Sequence, residues 1–164
     1  MKNEINRQVM DTILDAGTDI ILSLPCNMLA GILEEIKKRN IPHVPVCREE
    51  EGVGIAAGAS LAGKNPLLLM QNSGLGNSLN ALMSLTGLYR LPLFIMMSHR
   101  GGAGEQITAQ IPMGNAAPRL LDTLNIDFMK ITDNAGLNLL SKFIKTTYTE
   151  NIIKAAFLSR ELWQ

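Results

Sequence analysis

The sequence predicts an α/β protein in which a doubly wound parallel sheet carries helices on both faces. Short apolar runs alternate along the chain with longer segments whose apolar residues recur at helical spacing. The runs at 67–70 and 91–97 contain no polar side chain, which is typical of strands that are buried on both faces. Strands that alternate with helices in this way form parallel sheets. The 164 residues suffice for one core, so we expect a single domain over 1–164.

Local patterns justify the individual elements. Ile5, Val9 and Ile13 recur at helical spacing, and Gly17 is a natural stop for this first helix. Asn40 is a suitable left-handed cap for the second helix. The predicted helices span residues 5–16, 28–39, 50–62, 77–87, 115–124 and 134–148. The predicted strands span residues 19–24, 43–46, 67–70, 91–97, 127–131 and 152–158, and residues 101–113 are predicted to form a long loop.

The charge and cysteine content exclude several classes of protein. Lys+Arg and Asp+Glu are both 15, so the formal net charge is zero. Because nucleic-acid and membrane-surface binders need a basic face, we expect neither partner. Cys26 and Cys47 form no disulfide framework, which indicates a reducing, cytoplasmic setting. These cysteines and the histidines His43 and His99 lack the spacing of metal ligands, so no metal site is predicted.

An acidic stretch followed by a helix of small residues is the most unusual feature of the chain. Glu49, Glu50 and Glu51 precede a segment that consists almost wholly of Gly, Ala and small aliphatic residues up to Gly58. A helix with so few side chains allows other backbones to come very close. Acidic residues in its first turn suit the positive end of the helix dipole. The stretch is either a solvated charge run or a carboxylate held at the mouth of a dry site.

Three polar segments follow successive predicted strands, at residues 49–51, 71–77 and 98–102. Ligands of parallel sheets bind outside the carboxyl ends of the strands, so we expect these segments to meet at one edge. The segment Gln71–Asn77 is compatible with a phosphate cradle, a capped tight turn or a loop that contacts a flat ligand. It lacks the third glycine of Gly-x-Gly-x-x-Gly and the lysine of a P-loop, which weakens the first interpretation.

His99 and Arg100 stand at the end of a predicted strand, beside two glycines. The guanidinium of Arg100 has the fork geometry that binds a carboxylate, phosphonate or sulfonate. The alternative is an ordinary surface loop with a salt bridge. Gln110 lies in the predicted long loop, and long loops in compact domains are often functional. No Ser-His-Asp or Cys-His arrangement is recognisable.

In these segments the chain resembles the pyrimidine-binding domain of thiamine-diphosphate-dependent 2-oxo acid decarboxylases. Within that family it is most similar to the alpha subunits of sulfopyruvate decarboxylases, and next to phosphonopyruvate decarboxylases. Phosphonopyruvate decarboxylases typically have Trp at the position of His99, which favours the sulfopyruvate branch. The resemblance extends from Leu24 to Asp122 and rests on Arg48–Glu51, Leu61–Lys64, Met70–Ser78, Ser98–Gly101 and Ala109–Gly114.

The resemblance implies thiamine diphosphate as the cofactor. Glu49 stands nine positions before Gly58, as the catalytic Glu of the family often does, and is the expected partner of the pyrimidine nitrogen N1′. Glu50 is the alternative, because three consecutive acids leave the register open. The implied cofactor-binding residues are Glu49, Asn72, Gly74, Leu75, Gly76 and Asn77.

The resemblance also implies a substrate and a reaction. The expected reaction converts 3-sulfopyruvate, a small anionic 2-oxo acid, into sulfoacetaldehyde and CO₂, a step of coenzyme M biosynthesis in methanogens. His99 is expected to transfer a proton or polarise the substrate, and Arg100 to bind the sulfonate. Gln71 and Gln110 are the other expected substrate contacts.

Thiamine diphosphate enzymes need a second domain, which holds Mg²⁺ and the diphosphate through a Gly-Asp-Gly motif. This chain contains no Gly-Asp-Gly. The resemblance therefore implies that a separate beta subunit carries the diphosphate-binding domain, and that the isolated chain forms homo-oligomers. Two alternatives remain open, a subunit that acts on phosphonopyruvate and a non-catalytic structural or regulatory domain.

Overall fold

One parallel sheet with flanking helices makes up residues 2–163, the part of the chain that a computed structural model describes. Its strands are β1 (Ile20–Ser23), β2 (His43–Pro45), β3 (Pro66–Gln71), β4 (Leu93–Ser98), β5 (Asp127–Ile131) and β6 (Ile153–Leu158). Its helices are α1 (Lys2–Asp15), α2 (Ala30–Lys38), α3 (Glu49–Leu61), α4 (Gly74–Ala81), α5 (Ile111–Thr123) and α6 (Asn134–Glu150). Helix α4 continues as a π-helix over Leu82–Gly87, and short 3₁₀ turns occupy Asn27–Leu29, Thr108–Gln110 and Arg160–Trp163.

The strand order is β2-β1-β3-β4-β6-β5, and every neighbouring pair is parallel. Helices α1, α2 and α6 pack on one face of the sheet, and α3, α4 and α5 pack on the other. The predicted doubly wound parallel sheet is therefore confirmed. The chain changes direction across the sheet twice, between β1 and β3 and again around β6, and crevices form at such points.

The central strands of the sheet are almost completely buried. Every residue of β4 and β6 is buried, and so are the first five residues of β3. These are the segments that are almost continuously apolar in sequence, as expected for strands covered by helices on both faces.

Helix α3 is made of small residues because it packs directly on the sheet. A Cβ at Gly52 would lie 2.7 Å from Cδ1 of Leu68 in β3, so a larger residue would have to displace that side chain. Gly54 and Gly58 have no such neighbour within 4 Å, because they lie on the outer face of the helix. The close neighbour of this helix at Gly52 is thus a side chain of the sheet and not another backbone, which was the prediction.

Three helix starts lie three or four residues from the prediction. Helix α1 begins at Lys2 rather than at 5. Helix α4 begins at Gly74 rather than at 77, so residues 74–77 form its first turn and not a loop. Helix α5 begins at Ile111 rather than at 115, which shortens the predicted loop 101–113. Glycine lowers helix propensity, but here the close packing of α4 outweighs this preference. Proline is well tolerated in the first turn of a helix, where Pro112 lies.

Candidate active site

Glu49 is the first residue of α3 and lies over the first turn of α4. Only 7 % of this residue is exposed. Its Oε2 accepts a hydrogen bond of 3.0 Å from Nδ2 of Asn77. Its side chain rests on Gly74, where a Cβ would lie 2.4 Å from Glu49 Cγ and 2.6 Å from Oε1. Helix α4 therefore holds this carboxylate from two sides, and glycine is required beneath it.

The second carboxylate oxygen of Glu49 has no partner in the structure. Among residues 2–163, Asn77 is the side chain that donates to this carboxylate, and it donates to Oε2. No fully buried side-chain oxygen or nitrogen in that range lacks a hydrogen bond. Oε1 therefore reaches the molecular surface, and it is available to exchange a hydrogen bond with a ligand.

The two neighbouring acids are used by the chain itself. Oε1 of Glu50 accepts a hydrogen bond of 2.7 Å from Nε of Arg48, at the surface. Oε2 of Glu51 accepts a hydrogen bond of 2.9 Å from the backbone nitrogen of Cys47. All three acids have one engaged carboxylate oxygen, so it is burial that distinguishes Glu49 from both of them.

The other expected cofactor contacts divide into exposed and buried residues. Gly76 and Asn77 are both exposed on α4, where Asn77 contacts Glu49 and Gly76 lies beside the end of the Met113 side chain. Leu75 is completely buried in the core beside Met70 and Val53, so its side chain does not reach a ligand.

Asn72 joins the loop after β3 to the loop after β4. Its Nδ2 donates to the carbonyl oxygen of Arg100 at 3.0 Å, and its Oδ1 accepts from the nitrogen of Arg100 at 2.9 Å. Asn72 is 1 % exposed, and both ends of its amide are engaged. Its role here is therefore structural, in contrast to the cofactor contact expected from the sequence.

Gln71 and Gln110 come together although they are far apart in sequence. Nε2 of Gln71 donates to Oε1 of Gln110 at 3.0 Å and to Oγ of Ser73 at 2.6 Å. The thiol sulfur of Cys26 lies 3.3 Å from Oγ of Ser98 and 3.7 Å from Oε1 of Gln71. Ser98 lies in the segment 98–102 that was predicted to reach this edge, but neither Ser98 nor Cys26 was predicted as a site residue. Their available signal was their position at or just after the carboxyl ends of β4 and β1. These side chains form a polar cluster over the centre of the sheet.

Arg100 is paired within its own loop. Its Nε and Nη2 each donate to the carboxylate of Glu105 at 2.7 Å, and the two side chains are 12 % and 4 % exposed. The backbone nitrogens of Gly101 and Ile107 also donate to Glu105. The Arg100 guanidinium and then these amides hold the pKa of Glu105 well below its usual range. In this arrangement the fork of Arg100 is occupied and does not present itself to an anionic substrate.

His99 faces away from the polar cluster. Its Nε2 lies 3.2 Å from the carbonyl oxygen of Gly114, and its ring centre lies 5.0 Å from that of Phe157. Because a carbonyl only accepts, Nε2 carries the proton and Nδ1 is the free nitrogen. Successive side chains of a strand point to opposite faces, so Ser98 joins Gln71 whereas His99 does not. The structure thus separates His99 from the other expected substrate contacts.

Comparison with known proteins gives the family. Residues 3–110 match the thiamine pyrophosphate enzyme family, N-terminal TPP binding domain. Three proteins named sulfopyruvate decarboxylase subunit alpha are 46 % to 50 % identical to this chain. The one from Methanococcus maripaludis is 49 % identical over 121 residues, which are 73 % of this chain and 72 % of that protein. The chain belongs to the sulfopyruvate decarboxylase alpha-subunit family.

Two further relatives are longer than this chain. The sulfopyruvate decarboxylase of Methanosarcina acetivorans is 35 % identical over 157 residues, which cover 96 % of this chain and 40 % of that protein. A phosphonopyruvate decarboxylase of Streptomyces viridochromogenes is 33 % identical over 119 residues, which cover 71 % of this chain and 30 % of that protein. The expected order of resemblance, with the sulfopyruvate branch before the phosphonopyruvate branch, is confirmed.

A solved structure shares the fold at low identity. The 2-oxoglutarate:ferredoxin oxidoreductase from Magnetococcus marinus superposes with a TM-score of 0.71 at 14 % identity, over 97 % of this chain and 29 % of that one. Within residues 2–163, no helix has both the length and the apolar character needed to cross a membrane. The same range contains no group of three or more His, Cys, Asp or Glu side chains that could hold a metal ion.

Proposed function

We propose that this chain is the alpha subunit of a thiamine-diphosphate-dependent decarboxylase that converts 3-sulfopyruvate into sulfoacetaldehyde and CO₂ in coenzyme M biosynthesis. Relatives that are 49 % and 50 % identical to this chain over 121 and 129 residues are named for this enzyme. The observation that carries the proposal is the buried Glu49 carboxylate, which Asn77 anchors at one oxygen and leaves open at the other. A solvated charge run would not show this burial.

The residues around Glu49 fit the pyrimidine ring of thiamine diphosphate. Gly74 lacks the Cβ that would displace the carboxylate, and the unpartnered Oε1 is the atom that a ring nitrogen would meet. Glycine at exposed position 76 lets a flat ring approach the backbone of α4. When bound, thiamine diphosphate supplies the electron sink that the loss of CO₂ requires.

The chain would contribute a carboxyl group that is held in position for proton transfer and is mostly shielded from water. Glu49 would share a proton through Oε1 with nitrogen N1′, while Asn77 keeps the carboxylate from turning away. A hydrogen bond to a carboxylate is stronger in a site of low dielectric constant, so the burial of Glu49 serves this role. The cluster of Gln71 and Gln110 offers amide groups that would orient the 2-oxo acid. His99 would act as a proton donor or acceptor from its position beside Gly114 and Phe157.

We infer that a separate beta subunit completes the enzyme by holding Mg²⁺ and the diphosphate. The chain covers 72 % of the Methanococcus maripaludis alpha subunit but 40 % of the longer Methanosarcina acetivorans sulfopyruvate decarboxylase. The name alpha subunit of three relatives supports a partner subunit, and we place the diphosphate-binding domain on that partner. The active site would then lie between the two subunits.

The compartment and the state of the isolated chain are also part of the proposal. Cys26 and Cys47 are both free thiols, which suits the reducing cytoplasm. Leu61, Leu88 and Tyr89 are 65 % to 75 % exposed, and exposed apolar side chains of this size promote association. We expect the isolated chain to form homo-oligomers through this surface.

The test is the release of CO₂ from sulfopyruvate in the presence of thiamine diphosphate and Mg²⁺. The chain alone, a candidate beta subunit alone and their mixture are compared. We expect activity only in the mixture, and we expect Glu49→Gln to remove most of it. Glu50→Gln is the matched control, because Arg48 already holds the Glu50 carboxylate at the surface.

The outcomes separate the competing functions. Full activity of Glu49→Gln would remove the proposed mechanism. Faster turnover of phosphonopyruvate than of sulfopyruvate would move the function to the phosphonate branch. An assembled mixture that turns over neither compound would favour a non-catalytic subunit.

A further inference from the structure

A second crevice opens at the carboxyl ends of β4, β6 and β5. It encloses about 360 Å³. Helix α5 packs on one face of the sheet and α6 on the other, so the chain segments that follow β4 and β5 diverge around the end of β6. Ligands of parallel sheets bind at such positions. The polar side chains that line the crevice are His99, Glu105, Asn115, Lys130, Thr132, Ser159, Arg160 and Glu161.

Ser159 lies at the base of this crevice with an unused hydroxyl. The residue follows β6 directly, and its backbone nitrogen donates to the carbonyl oxygen of Ile131 at 2.9 Å. It is 6 % exposed, yet its side chain makes no hydrogen bond to any residue of 2–163. No side-chain oxygen or nitrogen of residues 2–163 is both fully buried and without a hydrogen bond, so the Ser159 hydroxyl reaches accessible space. It is free to donate a hydrogen bond to a ligand in the crevice.

The rim of the crevice carries one more positive charge than its free carboxylate offsets. Lys130 and Arg160 form no ion pair with any carboxylate of the described residues. Nη1 of Arg160 donates instead to the carbonyl oxygen of Gly104 at 3.0 Å, which fixes the guanidinium at the rim. Of the two lining carboxylates, Glu105 is paired with Arg100, and Glu161 is unpaired. Two cations therefore face one free carboxylate.

We propose that this crevice binds a small tetrahedral oxyanion, a phosphate or sulfonate group. The Ser159 hydroxyl would donate to one oxygen at the base, and the ammonium of Lys130 and the guanidinium of Arg160 would meet the others. His99 also lines this space, with its Nε2 engaged by the carbonyl oxygen of Gly114. The proposal stands on these residues alone and does not depend on the proposed decarboxylase activity.

Isothermal titration of the full chain with sodium phosphate and with sodium methanesulfonate tests the proposal. Ionic strength is held constant with chloride. We expect saturable binding that Ser159→Ala and Lys130→Ala each weaken by about tenfold or more, the effect of losing one hydrogen bond to a charged group. Lys142→Ala is the matched control, since it removes the same charge from an exposed position of α6. Thermal unfolding of each variant confirms that the chain is still folded.

The absence of saturable binding would overturn the proposal, and so would equal binding by all four proteins.

A second measurement identifies the source of the oxyanion in the assembled two-subunit enzyme. If Lys130→Ala raises KM for sulfopyruvate and leaves kcat unchanged, the crevice holds the sulfonate of the substrate. If KM is unchanged and an effect of added phosphate on the rate disappears, the crevice holds a separate metabolite. If phosphate still binds to the Ser159→Ala and Lys130→Ala chains as it does to the wild type, the crevice holds neither the sulfonate of the substrate nor a separate metabolite.

Discussion

The substitution Gly74→Ala is expected to damage the site without damaging the fold. The added Cβ would lie 2.4 Å from Cγ of Glu49, 2.6 Å from Oε1 and 2.7 Å from Cδ. Ordinary contact begins near 3.4 Å, so the carboxylate must retreat by about 1 Å. Such a shift breaks the hydrogen bond of 3.0 Å from Asn77. A misplacement of about 1 Å in a catalytic group lowers kcat by about 100-fold.

Stability should change much less than activity. Alanine is a better helix former than glycine by about 0.5–1 kcal/mol, which offsets part of the strain at the start of α4. The measurements are kcat of the assembled enzyme and thermal unfolding of the chain. Gly58→Ala is the control, because a Cβ there meets no atom within 4 Å.

A second variant shows whether the loss passes through Glu49. In a Glu49→Gln background, Gly74→Ala should lower kcat no further, because the group that it displaces is already inactive. The two effects are then strongly non-additive in a double-mutant cycle. A wild-type kcat in Gly74→Ala, or purely additive effects of the two substitutions, would refute the claim that Gly74 leaves the space that the Glu49 carboxylate occupies.

Three other substitutions test separate contacts. Asn77→Ala should lower kcat about fivefold with little change in unfolding temperature, because it removes one hydrogen bond to Glu49 at an exposed position. Since its pKa is lowered in the folded chain, Glu105 stabilises the fold above its unfolded-state pKa of about 4.3, and this contribution is lost as pH falls from there. Glu105→Gln should therefore flatten the acid side of a plot of unfolding temperature against pH, and an unchanged plot would argue against its pairing with Arg100. Leu88→Glu should reduce self-association of the isolated chain in light scattering, and an unchanged mass would place the contact elsewhere.

The order and type of the elements were accessible from sequence because the central strands are apolar throughout. The runs at 67–70 and 91–97 lie in β3 and β4, where helices cover both faces. The start of α4 could not be predicted, because the two glycines in Gly74–Asn77 are typical of a loop. Gly74 is glycine because Glu49 packs closely against it. Local propensity reports the backbone alone, whereas tertiary contacts decide such positions.

The site was predictable to the level of the segment but not of the atom. Three adjacent acids have the same chemistry, and only their burial separates Glu49 from Glu50 and Glu51. The pairing of Arg100 with Glu105 depends on the shape of a loop that has no periodic pattern. The crevice around Ser159 depends on where β6 inserts into the sheet, which no local signal records.

The loop after β4 meets the first turn of α5 at two facing glycines. A Cβ at Gly101 would lie 2.2 Å from the carbonyl oxygen of Gln110, and a Cβ at Gly114 would lie 2.4 Å from that of Arg100. Gly101 also has φ of +83°, a conformation that other residues rarely adopt. In a saturation library selected for folding, both positions should therefore return glycine, and neither can be exchanged to accommodate a change in the other. A redesign of substrate preference therefore has to change the side chains on either side of this glycine contact. The backbone at Gly101 and Gly114 has to stay as it is.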